Sequence, residues 1–260
     1  MKIGVCVKIT PDTDARIKPT ADGAGVDRTG IKWVVSPYDM FAIEEAIATK
    51  EKHGGEVISF TVGDDQAPAQ LRASCLALGA ERSVLVDDPA ARATDALGIA
   101  RVLAAAVKKE GVELLFAGKV AIDDDNVQVP SMVAELLGWA QVSRVVEFSV
   151  DGDTFTATRS MDGGVREVVR GKLPAVITAE RGLNTPRYAK LPDIMKAKKK
   201  PIDTVDLASL GLSADDLAPA VTVSGYAAPP ERPKGRILEG DLDTQVKELV
   251  RLLREEAKVI

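Results

Sequence analysis

At roughly 150 residues per domain, a chain of 260 residues and 27.6 kDa makes one large domain, or one domain with an appendage. Its 45% apolar and 28% charged residues can form a buried core, which excludes wholesale disorder and collagen-like order. A formal net charge of −5 and no apolar stretch near the roughly 18 residues of a membrane span argue against duplex nucleic acid as a partner and against membrane insertion.

Met1 leads into Ile3-Gly4-Val5-Cys6-Val7 with only Lys2 as a charged leader, so an export signal is not expected and a bacterial cytoplasm is, or a mitochondrial matrix for a processed chain. Ile3 to Ile9 reads as a buried strand. Similar runs follow at Val57 to Val62, Ser83 to Val86 and Glu113 to Ala117. Between them lie helical patterns. The first opens at Ser36-Pro37-Tyr38-Asp39, a capping box with proline at the first helical position, and places Met40, Ile43 and Ile47 on one face. The second runs from about Ala67 to Leu78 and stops at Gly79. The third follows Thr94 as cap, turns Ile99, Val102, Leu103 and Ala106 inward, and ends at Gly111.

This alternation predicts βαβ units and a parallel-sheet α/β sandwich. Ligands of such sheets sit beyond the carboxyl ends of strands where strand order reverses, so the loops after Lys8, Val62 and Ala117 are the ones to inspect. Beyond residue 140, Val142 to Val150, Thr154 to Arg159, Val165 to Val169 and Leu173 to Thr178 read as strands of a β-rich extension. A basic stretch, weakly ordered sequence, the linker-like Pro229-Pro230-Glu231-Arg232-Pro233 and an amphipathic helix from about Asp241 complete the chain. The expected division is 1–185 for the α/β domain and 186–260 for an arm that needs a surface to lie on, such as another subunit.

Two cysteines, Cys6 and Cys75, suit buried free thiols rather than a disulfide framework, and the lone His53 suits a solvated helix end. Histidine triads and zinc sites are therefore not expected. Candidate chemistry sits first in Gly118-Lys119-Val120-Ala121-Ile122-Asp123-Asp124-Asp125-Asn126-Val127-Gln128-Val129, after a strand and before a helix. Backbone N–H groups and the helix dipole there suit a phosphate. The three aspartates could also hold magnesium, or simply cap and charge the helix start. Second is Arg187 to Lys200, with six basic residues and one acidic. It is either a solvated face or, through Leu191-Pro192 and Ile194-Met195, an apolar anchor among charges that would speed encounter with an acidic partner. Third is Pro37-Tyr38-Asp39, a helix cap that would line an adenine together with Cys6 if a nucleotide lies over the sheet.

Gly118 to Asp125, Leu173-Pro174-Ala175-Val176-Ile177-Thr178-Ala179 and Leu183 to Lys200 closely resemble the β subunit of electron transfer flavoproteins. The similarity also covers Val5-Cys6-Val7-Lys8 and Ala42-Ile43-Glu44-Glu45-Ala46. The resemblance implies that the α/β sandwich is of the adenine-nucleotide-binding, Rossmann-like type, that the chain forms a heterodimer with an α subunit that carries most of the FAD, and that a structural AMP on the β subunit is held by Cys6, Ser36, Pro37, Tyr38, Asp39, Val62 and Gly118 to Val129. It implies a recognition loop of Tyr188, Leu191, Pro192, Ile194, Met195, Lys196, Lys198, Lys199 and Lys200, with Leu191 anchored on acyl-CoA dehydrogenases. Electrons would pass through the FAD to a membrane quinone oxidoreductase, with no catalytic residue on this chain.

Val127 and Val129 stand where many relatives have Asn or Thr, Thr13 where relatives often have a flavin-facing tyrosine, and Ser160 at a commonly acidic interface position. Gln128-Val129 resembles the electron-bifurcating branch, which binds a second FAD in place of AMP and uses NADH. The Leu191 to Lys200 run resembles the dehydrogenase-serving branch. A stand-alone nucleotide-binding stress-type module would share the fold but would not need the arm.

Overall fold

The computed structural model describes residues 1–232 and 234–260; Pro233, at the end of the expected linker, lies outside the described residues. Each long apolar run forms a strand: β1 (Lys2–Cys6), β4 (Glu56–Val62), β5 (Arg82–Val86), β6 (Leu114–Gly118) and β10 (Ala175–Ala179). The short pair β2 (Ile9–Pro11) and β3 (Trp33–Val35) forms a separate antiparallel ribbon, so the run from Ile3 to Ile9 is two strands instead of one. β7 (Ala140–Asp151), β8 (Thr154–Ser160), β9 (Arg166–Lys172) and β11 (Ile202–Val205) complete a nine-stranded sheet in the order β11-β5-β4-β1-β6-β10-β7-β8-β9. Pairing is parallel from β11 to β7 and antiparallel for β8 and β9.

The helices are α1 (Pro37–His53), α2 (Ala67–Leu71), α3 (Pro89–Arg92), α4 (Ala96–Glu110), α5 (Val129–Leu137), α6 (Leu191–Ala197) and α7 (Leu242–Glu255). Because strand side chains alternate between faces, the central β6 serves two cores. Leu114 and Phe116 pack in the layer that holds Ile43 and Ile47 of α1, and Leu115 packs with Leu103 and Val107 of α4 and Val133 of α5. All five residues of β6 are buried, as a parallel strand covered on both faces requires.

Several local expectations change. The second helix is α2 followed by a wider five-residue turn, Arg72–Leu76, before Gly79. Asp95, not Thr94, caps α4, accepting from the Leu97 and Gly98 N–H groups, because the Thr94 hydroxyl instead donates to Leu217 O. Ser36 makes no side-chain cap bond to α1. β11 pairs with β5, and Leu207 and Leu217 are buried, so sequence that reads as weakly ordered beyond Lys200 extends the sheet and its core.

The chain divides into two compact units, residues 1–17 with 27–224, and residues 18–26 with 225–260. In the second, Tyr226 N–H donates to Gly23 O and Asp241 caps α7 through the Thr244 N–H. α7 carries Val246, Leu249 and Val250 on one side, each more than a third exposed. Among the described residues no helix is long and apolar enough to cross a membrane.

Candidate functional site

From β1 the chain moves outward through β4 to β5, then returns to β6 on the opposite flank of β1. The carboxyl ends of β1 and β6 therefore border a crevice at a reversal of strand order. Asp39, in the first turn of α1, bridges those ends. Its Oδ2 accepts from Lys8 N–H at 2.7 Å and its Oδ1 from Gly118 N–H at 2.9 Å. This inward pairing takes the Asp39 carboxylate out of the expected capping box. Burial raises its pKa to about 7, against the opposing effect of the two N–H bonds and of the Lys8 charge.

Gly118 is required by that bridge. A Cβ there would press on Asp39 Oδ1 and come within 2.8 Å of Asp39 N and Tyr38 C. Cys6, at the end of β1, is a free thiol that burial, and then the Asp39 charge, push up to about 12, so it is not a thiolate at neutral pH.

Lys8 answers the charge problem of the following loop. Its Nζ donates to Asp123 Oδ1 at 2.9 Å and Asp124 Oδ2 at 2.8 Å. Burial works to raise Asp124, but the bonds from Lys8 Nζ and from the Asn126 N–H outweigh it and hold the carboxyl below its ordinary value. Two of the three aspartates are thus already paired with a cation. No group of three or more His, Cys, Asp or Glu side chains placed to hold a metal ion together occurs among the described residues.

Asp125 and Val127 have φ values of 50° and 55°. Left-handed backbone is costly for a β-branched residue, and a left-handed residue next to a right-handed one, as Val127 is next to Gln128, turns successive N–H groups toward one point, an anion-binding arrangement. The N–H groups of Val127, Gln128 and Val129 make no bond to another described residue, and they lead into the N-terminus of α5. The Ser36 hydroxyl, fully buried at the start of α1, also has no partner. This set could hold the phosphate of a nucleotide through backbone N–H groups, with the valine side chains supplying none of the polar contacts.

The other expected pocket residues are distributed around this centre. Val120, Ala121 and Ile122 form the half-buried start of the loop. Lys119 is engaged by other groups: its Nζ is 2.6 Å from Glu180 Oε2 and 4.9 Å from the Tyr38 ring centroid. Pro37 is exposed at the first position of α1, and Val62 ends β4, next to β1. Lys8 and Glu180, absent from the expected set, are the side chains that organise the charges; a lysine just past a central strand and three aspartates past its neighbour were the available signal.

The basic stretch forms a separate place on the first unit. Tyr188, Leu191, Ile194 and Met195 are exposed, Tyr188 at 95% and Leu191 at 73%. Lys196, Lys198 and Lys199 are exposed around them, beside Pro192. Lys200 turns inward, its Nζ donating to Leu76 O at 2.9 Å and Ala80 O at 2.6 Å, so it is not part of the outward-facing set.

Residues 24–210 match the Electron transfer flavoprotein domain family. The chain is similar to the Bacillus subtilis electron transfer flavoprotein subunit beta, 39% identical over the full length of both. It is 42% identical to the Mus musculus protein of that name, covering 95% of this chain and 97% of the relative, and 40% identical to the Homo sapiens one, covering 97% and 99%.

Gly118→Ala will crowd the Asp39 bridge and lower stability by about 1–3 kcal/mol, read as a fall in the unfolding midpoint. Asp39→Asn will turn an amide donor toward one of the two N–H donors and cost about 1–3 kcal/mol. Because the folded value of Asp39 is raised from about 3.9 to about 7, its contribution is fullest below about pH 4 and declines as pH rises to about 7. The stability gap between the natural chain and Asp39→Asn will therefore narrow across that window in pH-dependent denaturation; a constant gap would contradict the assignment.

Proposed function

The chain belongs to the electron transfer flavoprotein family as a β-type subunit, and from that premise we propose that it works as half of a heterodimeric electron carrier loaded by flavoprotein dehydrogenases of the acyl-CoA type. The observation that carries this reading is the exposed apolar group of Tyr188, Leu191, Ile194 and Met195 set among lysines. Large apolar side chains ringed by charge are the composition of a docking hot spot, and the lysines would steer an acidic dehydrogenase surface into contact.

An α-type partner would contribute most of the FAD site, and the flavin, when bound, supplies the reversible redox chemistry. This chain's residues do the rest. Val127, Gln128 and Val129 offer N–H groups to the phosphate of a structural AMP, Lys8 neutralises Asp123 and Asp124 beside it, and Asp39 holds the two strand ends that border it. The loss of polar side chains at Val127 and Val129 is tolerable because backbone donors suffice. Delivery to a membrane quinone oxidoreductase completes the proposed route.

The test is to co-express the chain with its α-type partner and follow flavin bleaching driven by an acyl-CoA and its dehydrogenase. Leu191→Ala, a truncation at an exposed position, should slow electron uptake by about tenfold or more, the scale of a hot-spot side chain. Uptake at the natural rate would remove Leu191 as the anchor and with it this reading.

A further inference from the structure

Helix α6 has seven residues, of which Ala197 alone is buried. A single seven-residue helix is unstable in water by itself, and Lys196 in its last turn is followed directly by Lys198, Lys199 and Lys200, whose like charges repel. Apolar packing therefore contributes little to its placement. Polar clamps at both ends hold it.

At the leading end, Arg187 spans two carboxylates seven positions apart on one face of α1. Its Nε and Nη2 donate to Glu44 at 2.9–3.1 Å, its Nη1 and Nη2 to Glu51 at 2.6 and 2.9 Å, and its backbone N–H to Glu44 Oε2 at 3.0 Å. Asn184 adds bonds of 2.9 Å to Phe41 O and Glu45 Oε2. At the trailing end, Arg72 Nη1 donates to the carbonyls of Ala197, Lys198 and Lys200 at 3.0–3.2 Å. Those carbonyls lie at and just beyond the C-terminus of α6, where helix carbonyls lack internal partners and a cation is favoured. Lys200 closes the same end on Leu76 O and Ala80 O.

We propose that Arg187 and Arg72 are positioning residues for dehydrogenase recognition, presenting α6 with its apolar side chains already ordered. This rests on the docking role given above to Leu191 and its neighbours. Ordering the segment before encounter lowers the entropy lost on binding, so the clamps act on affinity for the dehydrogenase more than on the turnover of the bound complex. Arg187 requires the planar fork of an arginine, since a lysine reaches only one of its two carboxylates at a time.

The experiment uses the heterodimer with acyl-CoA and its dehydrogenase as electron source, varying heterodimer concentration to separate KM from kcat. Arg187→Met and Arg72→Met should each raise KM about tenfold with kcat falling less than threefold. Arg187→Lys should recover part of the loss, and the milder Glu51→Gln, at a carboxylate 53% exposed, should raise KM about threefold without threatening folding. A merely structural role would lower the yield of active heterodimer and leave KM in place. If KM stays within twofold for all these variants while Leu191→Ala raises it, the clamp proposal is overturned and the docking reading stands. If Leu191→Ala also leaves KM unchanged, the docking reading itself is what fails, and the proposal falls with it.

Discussion

The Asp39 carboxyl is placed where water is nearly excluded, and it is held there by two backbone N–H donors from neighbouring strand ends. Burying it would be strongly unfavourable without those bonds. They join three elements at one point: the start of α1, the segment after β1 and the last residue of β6. Gly118 follows from the close approach this demands, and Lys8, fixed at its backbone by Asp39, directs its side chain to Asp123 and Asp124. Two of the loop's three carboxylates are thereby paired with a cation, and the left-handed residues Asp125 and Val127 turn the chain so that N–H groups precede α5. The crevice is a consequence of satisfying one buried carboxyl group.

Helix α1 connects this crevice with the outward-facing segment. Its first turn supplies Asp39, and Phe41, Glu44, Glu45 and Glu51 farther along anchor Asn184 and Arg187. The motif Ala42-Ile43-Glu44-Glu45-Ala46 thus serves two roles at helical spacing: Ala42, Ile43 and Ala46 are buried in the core and the glutamates hold the chain that leads into α6. One element, α1, sets the place of both the crevice and the α6 segment, which is why a short helix with a single buried residue can still present a defined face.

How much of this was legible in sequence depended on the range of the forces involved. Apolar runs such as Glu113 to Ala117 located the central strands, and Asp241 marked the start of α7, because strand burial and helix capping are local. The pairing of Asp39 with N–H groups 31 and 79 positions away was not legible, since nothing in Ser36-Pro37-Tyr38-Asp39 distinguishes a cap from a cross-link. Thr94 and Asp95 compete for the same capping role, and only the distant Leu217 carbonyl decides between them. Lys200 is chemically identical to its neighbours; the open carbonyls of Leu76 and Ala80 are what turn it inward. β11 was missed because a four-residue edge strand with only partial burial leaves little periodicity to read.

The most direct measurement is the nucleotide content of the purified heterodimer, released by denaturation and counted by chromatography, for the natural chain and for Lys8→Met. The account predicts one FAD and one AMP per natural heterodimer, and a loss of AMP with retention of FAD when Lys8 no longer neutralises Asp123 and Asp124. Two FAD and no AMP in the natural complex would contradict it and make the crevice a second flavin site. Full AMP retention in Lys8→Met would contradict the charge-neutralising role assigned to that lysine.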